Sequence, residues 1–182
     1  MSEARRITVD EYFRGPETLR PMELAHGVVR EPPAPRYGHQ SLVTRTTVLL
    51  DRHVREHGLG KVCVSPIDVV LDRDLALVVQ PDIIYVSNAR SGILRDRVWG
   101  APDLVVEVLS RRTAAYDRTE KLGWYRRYGV DECWFIDPVG HTLDIVDCRS
   151  TLADATRRFA TADTIDSRVL PALRLRAEQL FE

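Results

Sequence analysis

The stretch "APDLVVEVLS", residues 101–110, has the composition of a strand buried on both faces, with one residue out of keeping. Leu104, Val105, Val106, Val108 and Leu109 are the aliphatic and β-branched types that fill such a strand. Glu107 stands among them. An unpaired buried carboxylate is costly, so Glu107 must be neutralised, paired or coordinated to a cation. Strand alternation puts Asp103, Val105, Glu107 and Leu109 on one face and Leu104, Val106 and Val108 on the other.

Elements on either side of this strand are legible from pattern. Downstream, residues 113–128 predict a helix closed by Gly129, and "DECWFIDP" and "HTLDIVDC" predict two strands joined through Pro138, Val139 and Gly140. A short strand near 155–160, an apolar extended piece at 169–175 and a small terminal helix complete the chain. Upstream, "NARSGILRDRVWGA" (88–101) lacks a clean period and predicts a loop. "KVCVSPIDVVLD" (61–72) and "LALVVQPDIIYVS" (75–87) predict strands, the second interrupted by Pro81. Residues 38–57 carry apolar residues at helical spacing, 22–31 predict a strand or hairpin, and Thr8 with Glu11 forms a capping box opening a short helix. This order predicts a mixed α/β domain over residues 1–182, with a central mixed sheet flanked by helices.

Composition narrows the function classes. Of 182 residues, 44% are hydrophobic and 29% charged, which suits one packed domain. No apolar run approaches the roughly 18–20 residues of a membrane span, and "MSEARRITVD" has no apolar stretch resembling a signal peptide, so a cytoplasmic protein is expected. Cys63, Cys133 and Cys148 are odd in number and sit in apolar settings, as reduced core thiols do. A net charge of −1 excludes the strong overall positive field of an overt nucleic-acid binder, so any such partner must be held locally. The cations are 24 arginines and two lysines, Lys61 and Lys121. A retained lysine in such a chain raises the question of whether an ammonium is required at its position.

A second acid is embedded in apolar residues: Asp82 in "VVQPDIIYV". With Glu107 on the following core strand, it forms a plausible ligand pair for a hard divalent cation. Asp117, Lys121 and Tyr125 then fall at i, i+4 and i+8 on one helical face that can look back onto the sheet. Each residue has a plainer reading. Glu107 can pair with an arginine, Lys121 can pair with Asp117 on a solvated helix face, and Pro81-Asp82 can be a turn, as Pro102-Asp103 is expected to be. His39 is expected to be a cap-region or surface histidine, Asp68 a strand-edge hydrogen bonder, and Trp99, Trp124 and Trp134 core or rim aromatics.

The ordered series "MELAHG", "SPIDVVL", "QPDIIYVS", "PDLVVEVLS", "YGVDECWFIDP" and "LPALRL" resembles the Uma-type restriction endonuclease family, formerly a domain of unknown function, within the PD-(D/E)xK nuclease superfamily. The resemblance implies a restriction-endonuclease-like core and a metal-dependent endonuclease acting on DNA. Asp82 and Glu107 would hold Mg²⁺ or Mn²⁺, with the Val108 carbonyl as a further ligand and Glu23 completing the site. The superfamily pattern expects lysine at position 109, where this chain has leucine. The resemblance then implies that Lys121, from the following helix, supplies the ammonium. Arg111, Arg112 and Arg118 beside the site, and Arg90, Arg95 and Arg97 in the preceding loop, are candidate phosphate contacts. A homodimer is expected by analogy with the twofold symmetry of duplex DNA. Leu109 and the near-neutral charge leave two alternatives: a catalytically silent nuclease fold serving as an interaction module, and a hydrolase of another phosphate ester.

Overall fold

Glu107 lies on an interior strand of a six-stranded mixed sheet, and the rest of the fold covers its two faces. The computed structural model describes residues 6–16, 20–152 and 155–182. In chain order these form α1 (Val9–Phe13), β1 (Glu23–Ala25), β2 (Val28–Arg30), α2 (Tyr37–Glu56), β3 (Gly60–Val64), β4 (Val69–Asp72), β5 (Leu77–Val79) and β6 (Ile83–Ser87). A 3₁₀ turn (Asn88–Ile93), β7 (Val98–Trp99) and β8 (Leu104–Val108) follow. Next come α3 (Ala114–Tyr116), a π-helical turn (Asp117–Lys121) and α4 (Leu122–Tyr128). The chain ends with β9 (Glu132–Asp137), β10 (Thr142–Asp147), β11 (Thr156–Phe159), β12 (Thr164–Ile165), β13 (Leu175–Arg176) and α5 (Glu178–Phe181).

The larger sheet runs β11-β10-β9-β8-β6-β3, with β8 and β9 parallel and the other pairs antiparallel. A five-stranded sheet runs β2-β1-β5-β4-β7. The mixed α/β class predicted from sequence is the observed one. Alternation along β8 sorts its residues as expected. Leu104, Val106 and Val108 pack with Leu42, Val43, Leu50 and Val54 of α2, while Val105 and Leu109 pack with Tyr125 of α4 and with Val69, Leu77 and Val79 of the smaller sheet. The parallel β8–β9 pair is joined through α3, the π turn and α4, the helical crossover that a parallel pair requires. Gly129 closes this crossover at φ 94°, a left-handed conformation that glycine adopts without the Cβ penalty.

Four expectations are corrected. Residues 61–72 form two strands in different sheets, because Ser65 to Asp68 turn the chain from β3 toward β4. Residues 75–87 split in the same way into β5 and β6, with Gln80, Pro81 and Asp82 carrying the chain from the smaller sheet to the larger. The stretch 88–101 is no structureless loop; it holds the 3₁₀ turn and β7. The piece at 169–175 is mostly turn, and Leu175 joins a two-stranded ribbon with β12, which pattern did not reveal. The three cysteines are free thiols, two of them buried.

Candidate active site

The crossing from β5 to β6 brings the acids together. Ile83 pairs with Val106 and Ile84 with Val105, so continuing the register by one residue sets Asp82 opposite Glu107. Facing side chains in an antiparallel pair share a face. Asp82 is fixed by the backbone N–H of Val108, which donates to its Oδ2 at 2.8 Å. The same crossing holds a third acid from the smaller sheet: the backbone N–H of Gln80 donates to Glu23 Oε1 at 3.0 Å. Gln80 is itself anchored, donating from Nε2 to Asp68 Oδ1 at 2.9 Å and accepting from the Met22 N–H at 3.0 Å. Arg97 Nε donates to the other oxygen of Asp68. Asp68 is therefore a hydrogen bonder behind the site, as expected.

The crossover helix supplies the cation. Lys121 Nζ lies 2.7 Å from Glu107 Oε1, 2.9 Å from Glu23 Oε1 and 3.9 Å from Asp117 Oδ1. Tyr125 donates its hydroxyl to the same Glu107 Oε1 at 2.5 Å. Asp117, Lys121 and Tyr125 are all buried. In a regular α-helix, residues four apart drift about 40° around the axis, so a stripe of three spreads away from a flat target. The wider π turn over Asp117–Lys121 offsets that drift and keeps all three against β8. The i, i+4, i+8 stripe read from sequence is thus real, but its alignment depends on a backbone irregularity that spacing does not reveal.

The electrostatics follow from burial. Glu23, Glu107 and Asp117 surround a single ammonium, and Asp82 acts on Glu107 and Asp117 from beside them. Desolvation raises the Glu107 carboxyl to about 8; the Lys121 charge opposes this, while Asp117 and Asp82 add to it. Burial also raises Asp117, again opposed by Lys121. Desolvation works against the charge on Lys121, but Glu107, Glu23 and Asp117 outweigh it and hold the amine well above its usual pKa. The ammonium is therefore permanent near neutral pH. One lysine cannot offset all the acids once they ionise, and a divalent cation relieves that by favouring the carboxylate forms.

The Lys121 ammonium and the Tyr125 hydroxyl both meet Glu107 at Oε1. Among the described residues, no three His, Cys, Asp or Glu side chains form a preassembled ligand set. A Mg²⁺-type ion does not require one, since it keeps several waters and needs only one or two carboxylates.

His39 sits in the cap region of α2, as the sequence reading expected, but makes a contact that reading did not foresee: its Nε2 lies 3.3 Å from Asp82 Oδ2, and its Nδ1 is buried without a hydrogen-bond partner. No local signal could have found it, because Asp82 lies far off in sequence, in the crossing that enters β6.

The arginines separate into two groups. Arg118 donates to the buried Asp144 at 2.7 Å and stacks over Phe135. Arg90 joins Asp131 to Asp103 and to nearby carbonyls, and Arg97 lies over Phe13 while binding Asp68 and Asp96. Arg95 is exposed. Arg111 and Arg112 are also exposed, in the turn that follows β8. Asp103 accepts from the Ser87 N–H at 2.7 Å, the structural role expected for it. Trp134 is fully buried and donates to Glu132; Trp99 and Trp124 are partly buried.

The family model described as "Uma2: Putative restriction endonuclease" matches residues 9–178. Among solved structures, the chain is similar to a crystal structure described as "a putative nuclease belonging to DUF820" from Anabaena variabilis. The two share 20% identity and a TM-score of 0.80, over 96% of this chain and 97% of the other. At that identity the likeness shows the fold. No curated protein matches the chain.

Proposed function

Because the chain belongs to the Uma2 restriction endonuclease family, we propose that it is a metal-dependent endonuclease that hydrolyses DNA phosphodiester bonds at the Asp82–Glu107–Lys121 cluster. The observation that carries this reading is the 2.7 Å contact between Lys121 Nζ and Glu107 Oε1. It supports the lysine that position 109 lacks being delivered from the crossover helix, and so argues against a silent fold.

Asp82 and Glu107 would hold Mg²⁺ or Mn²⁺, with the Val108 carbonyl beside them. When bound, the cation supplies Lewis acidity, which lowers the pKa of a water and shields charge building on the phosphoryl oxygens. The protein residues do the rest. Water adds to phosphorus, the bond from phosphorus to the leaving sugar oxygen breaks, and that oxygen takes up a proton. Lys121, fixed as an ammonium, cannot accept the proton of the attacking water near neutral pH; it stabilises negative charge and orients its neighbours. Tyr125 and Lys121 hold Glu107 Oε1 so that the carboxylate does not rotate. Glu23 is the counter-charge that keeps Lys121 in place. Arg111 and Arg112 are available to phosphates, whereas the charge of Arg118 is already matched by Asp144.

The test is cleavage of supercoiled plasmid with Mg²⁺ or Mn²⁺, using the native protein beside Asp82→Ala, Glu107→Gln and Lys121→Ala variants whose folding is verified. Metal-dependent nicking that all three substitutions abolish supports the proposal. No cutting of any DNA form, together with no Mn²⁺ binding by calorimetry, refutes it and favours a non-catalytic interaction module.

A further inference from the structure

His39 is placed against two of the three groups assigned above to the cation. Its Nε2 lies 3.3 Å from Asp82 Oδ2, and the Val108 carbonyl faces the same ring. The imidazole is largely covered, at 18% exposed, and no described group meets its buried Nδ1. The backbone beneath it is rigid, since α2 is pinned to the larger sheet by Leu42, Val43, Leu50 and Val54. A histidine kept only for packing would not need this position. His53, on the same helix, shows the structural alternative: its Nε2 bonds the Pro171 carbonyl and its ring packs on His57.

We propose that His39 is a ligand of the cation through Nε2, adjacent to Asp82, and that it biases the site toward first-row transition ions such as Mn²⁺ over Mg²⁺. The inference rests on the reading of Asp82 and Glu107 as a cation site. Its geometry is favourable. Ligand bonds of about 2.1 Å at right angles put neighbouring ligand atoms about 3 Å apart. The His39–Asp82 spacing is close to that edge, so a cation can sit between the two groups with little change in their separation. The chemistry points the same way. Mg²⁺ prefers an all-oxygen shell, and one imidazole nitrogen shifts preference toward softer divalent ions.

The experiment reads the metal directly, without reference to cleavage. Full-length native protein, His39→Ala, Asp82→Ala and the control His141→Asn are loaded with Mn²⁺. Pulsed electron paramagnetic resonance then looks for ¹⁴N coupling, while calorimetry measures Mn²⁺ and Mg²⁺ affinity. Alanine suits a helical position, so His39→Ala is expected to fold. The proposal expects ¹⁴N coupling in the native protein and the control. In His39→Ala it expects loss of that coupling, Mn²⁺ affinity weaker by about tenfold or more, and little change for Mg²⁺. Asp82-dependent Mn²⁺ binding without ¹⁴N coupling, or with coupling that survives His39→Ala, overturns the role of His39 and leaves the carboxylate site standing. Absence of any Asp82-dependent binding overturns both.

Discussion

Lys121 Nζ lies 2.7 Å from Glu107 Oε1, joining the helical crossover to the central strand it was built to connect. Removing the ammonium leaves a fully enclosed carboxylate without its counter-charge. Lys121→Met is therefore expected to lose cleavage by at least about two orders of magnitude, the scale of a lost electrostatic stabiliser, and to lower stability by about 3–5 kcal/mol. Lys121→Arg should not rescue activity, since the guanidinium fork does not fit where a compact ammonium meets Glu107 and Glu23. Urea denaturation and plasmid nicking on the same preparations check both effects.

The raised Glu107 carboxyl gives a pH signature to the metal-free protein. Its pKa lies near 8 in the folded chain against a usual value of 4.5, so between those values the folded state binds more protons than the unfolded one. Stability from this group is fully present below the lower value and falls as pH rises toward 8. Lys121, also raised, contributes in the same sense but only above its own usual range, outside this window. Urea midpoints measured from pH 5 to pH 8 should decline without divalent ion and flatten with saturating Mn²⁺, which favours the carboxylate. A midpoint rising over this range would contradict the assignment.

Tyr125→Phe deletes one donor to Glu107 Oε1 and nothing else of comparable size. The expected cost is about 1.5–3 kcal/mol of stability, as for a hydrogen bond to a charged group. Weaker Mn²⁺ binding should accompany it, because Glu107 is then held by Lys121 alone. Calorimetry on the variant reads the second effect independently of cutting.

Asp82→Asn preserves shape and keeps an oxygen to accept the Val108 N–H. Its thermal unfolding should stay close to that of the native protein while Mn²⁺ binding and cleavage are lost. Unfolding at a much lower temperature would mean that Asp82 serves the fold.

The two arginine groups should differ in salt dependence. Arg111→Ala with Arg112→Ala is expected to reduce the slope of log affinity against log salt on duplex DNA by about 0.9 per lost phosphate contact. Arg118→Ala should leave that slope unchanged and instead destabilise the fold, because it strips a partner from the buried Asp144.

Much of this was written in the chain itself. The aliphatic run around Glu107, the alternation that gave it a face, the acid in "PDIIYV" and the lone lysine in an arginine-rich helix are local properties, and local properties set strand, helix and composition of the core. Tertiary structure decided the rest. Asp82 faces Glu107 only because β6 and β8 pair in one register. Glu23 enters because Gln80 and Pro81 pass between two sheets that the sequence displays as one interrupted strand. Lys121 stays in line through a π turn that no residue pattern announces. His39 meets Asp82 across a separation that only folding closes, and it read as an ordinary helix-start histidine for that reason. Sequence periodicity reports which face a residue shares with its neighbours; the distance between two faces is fixed by strand pairing and helix packing.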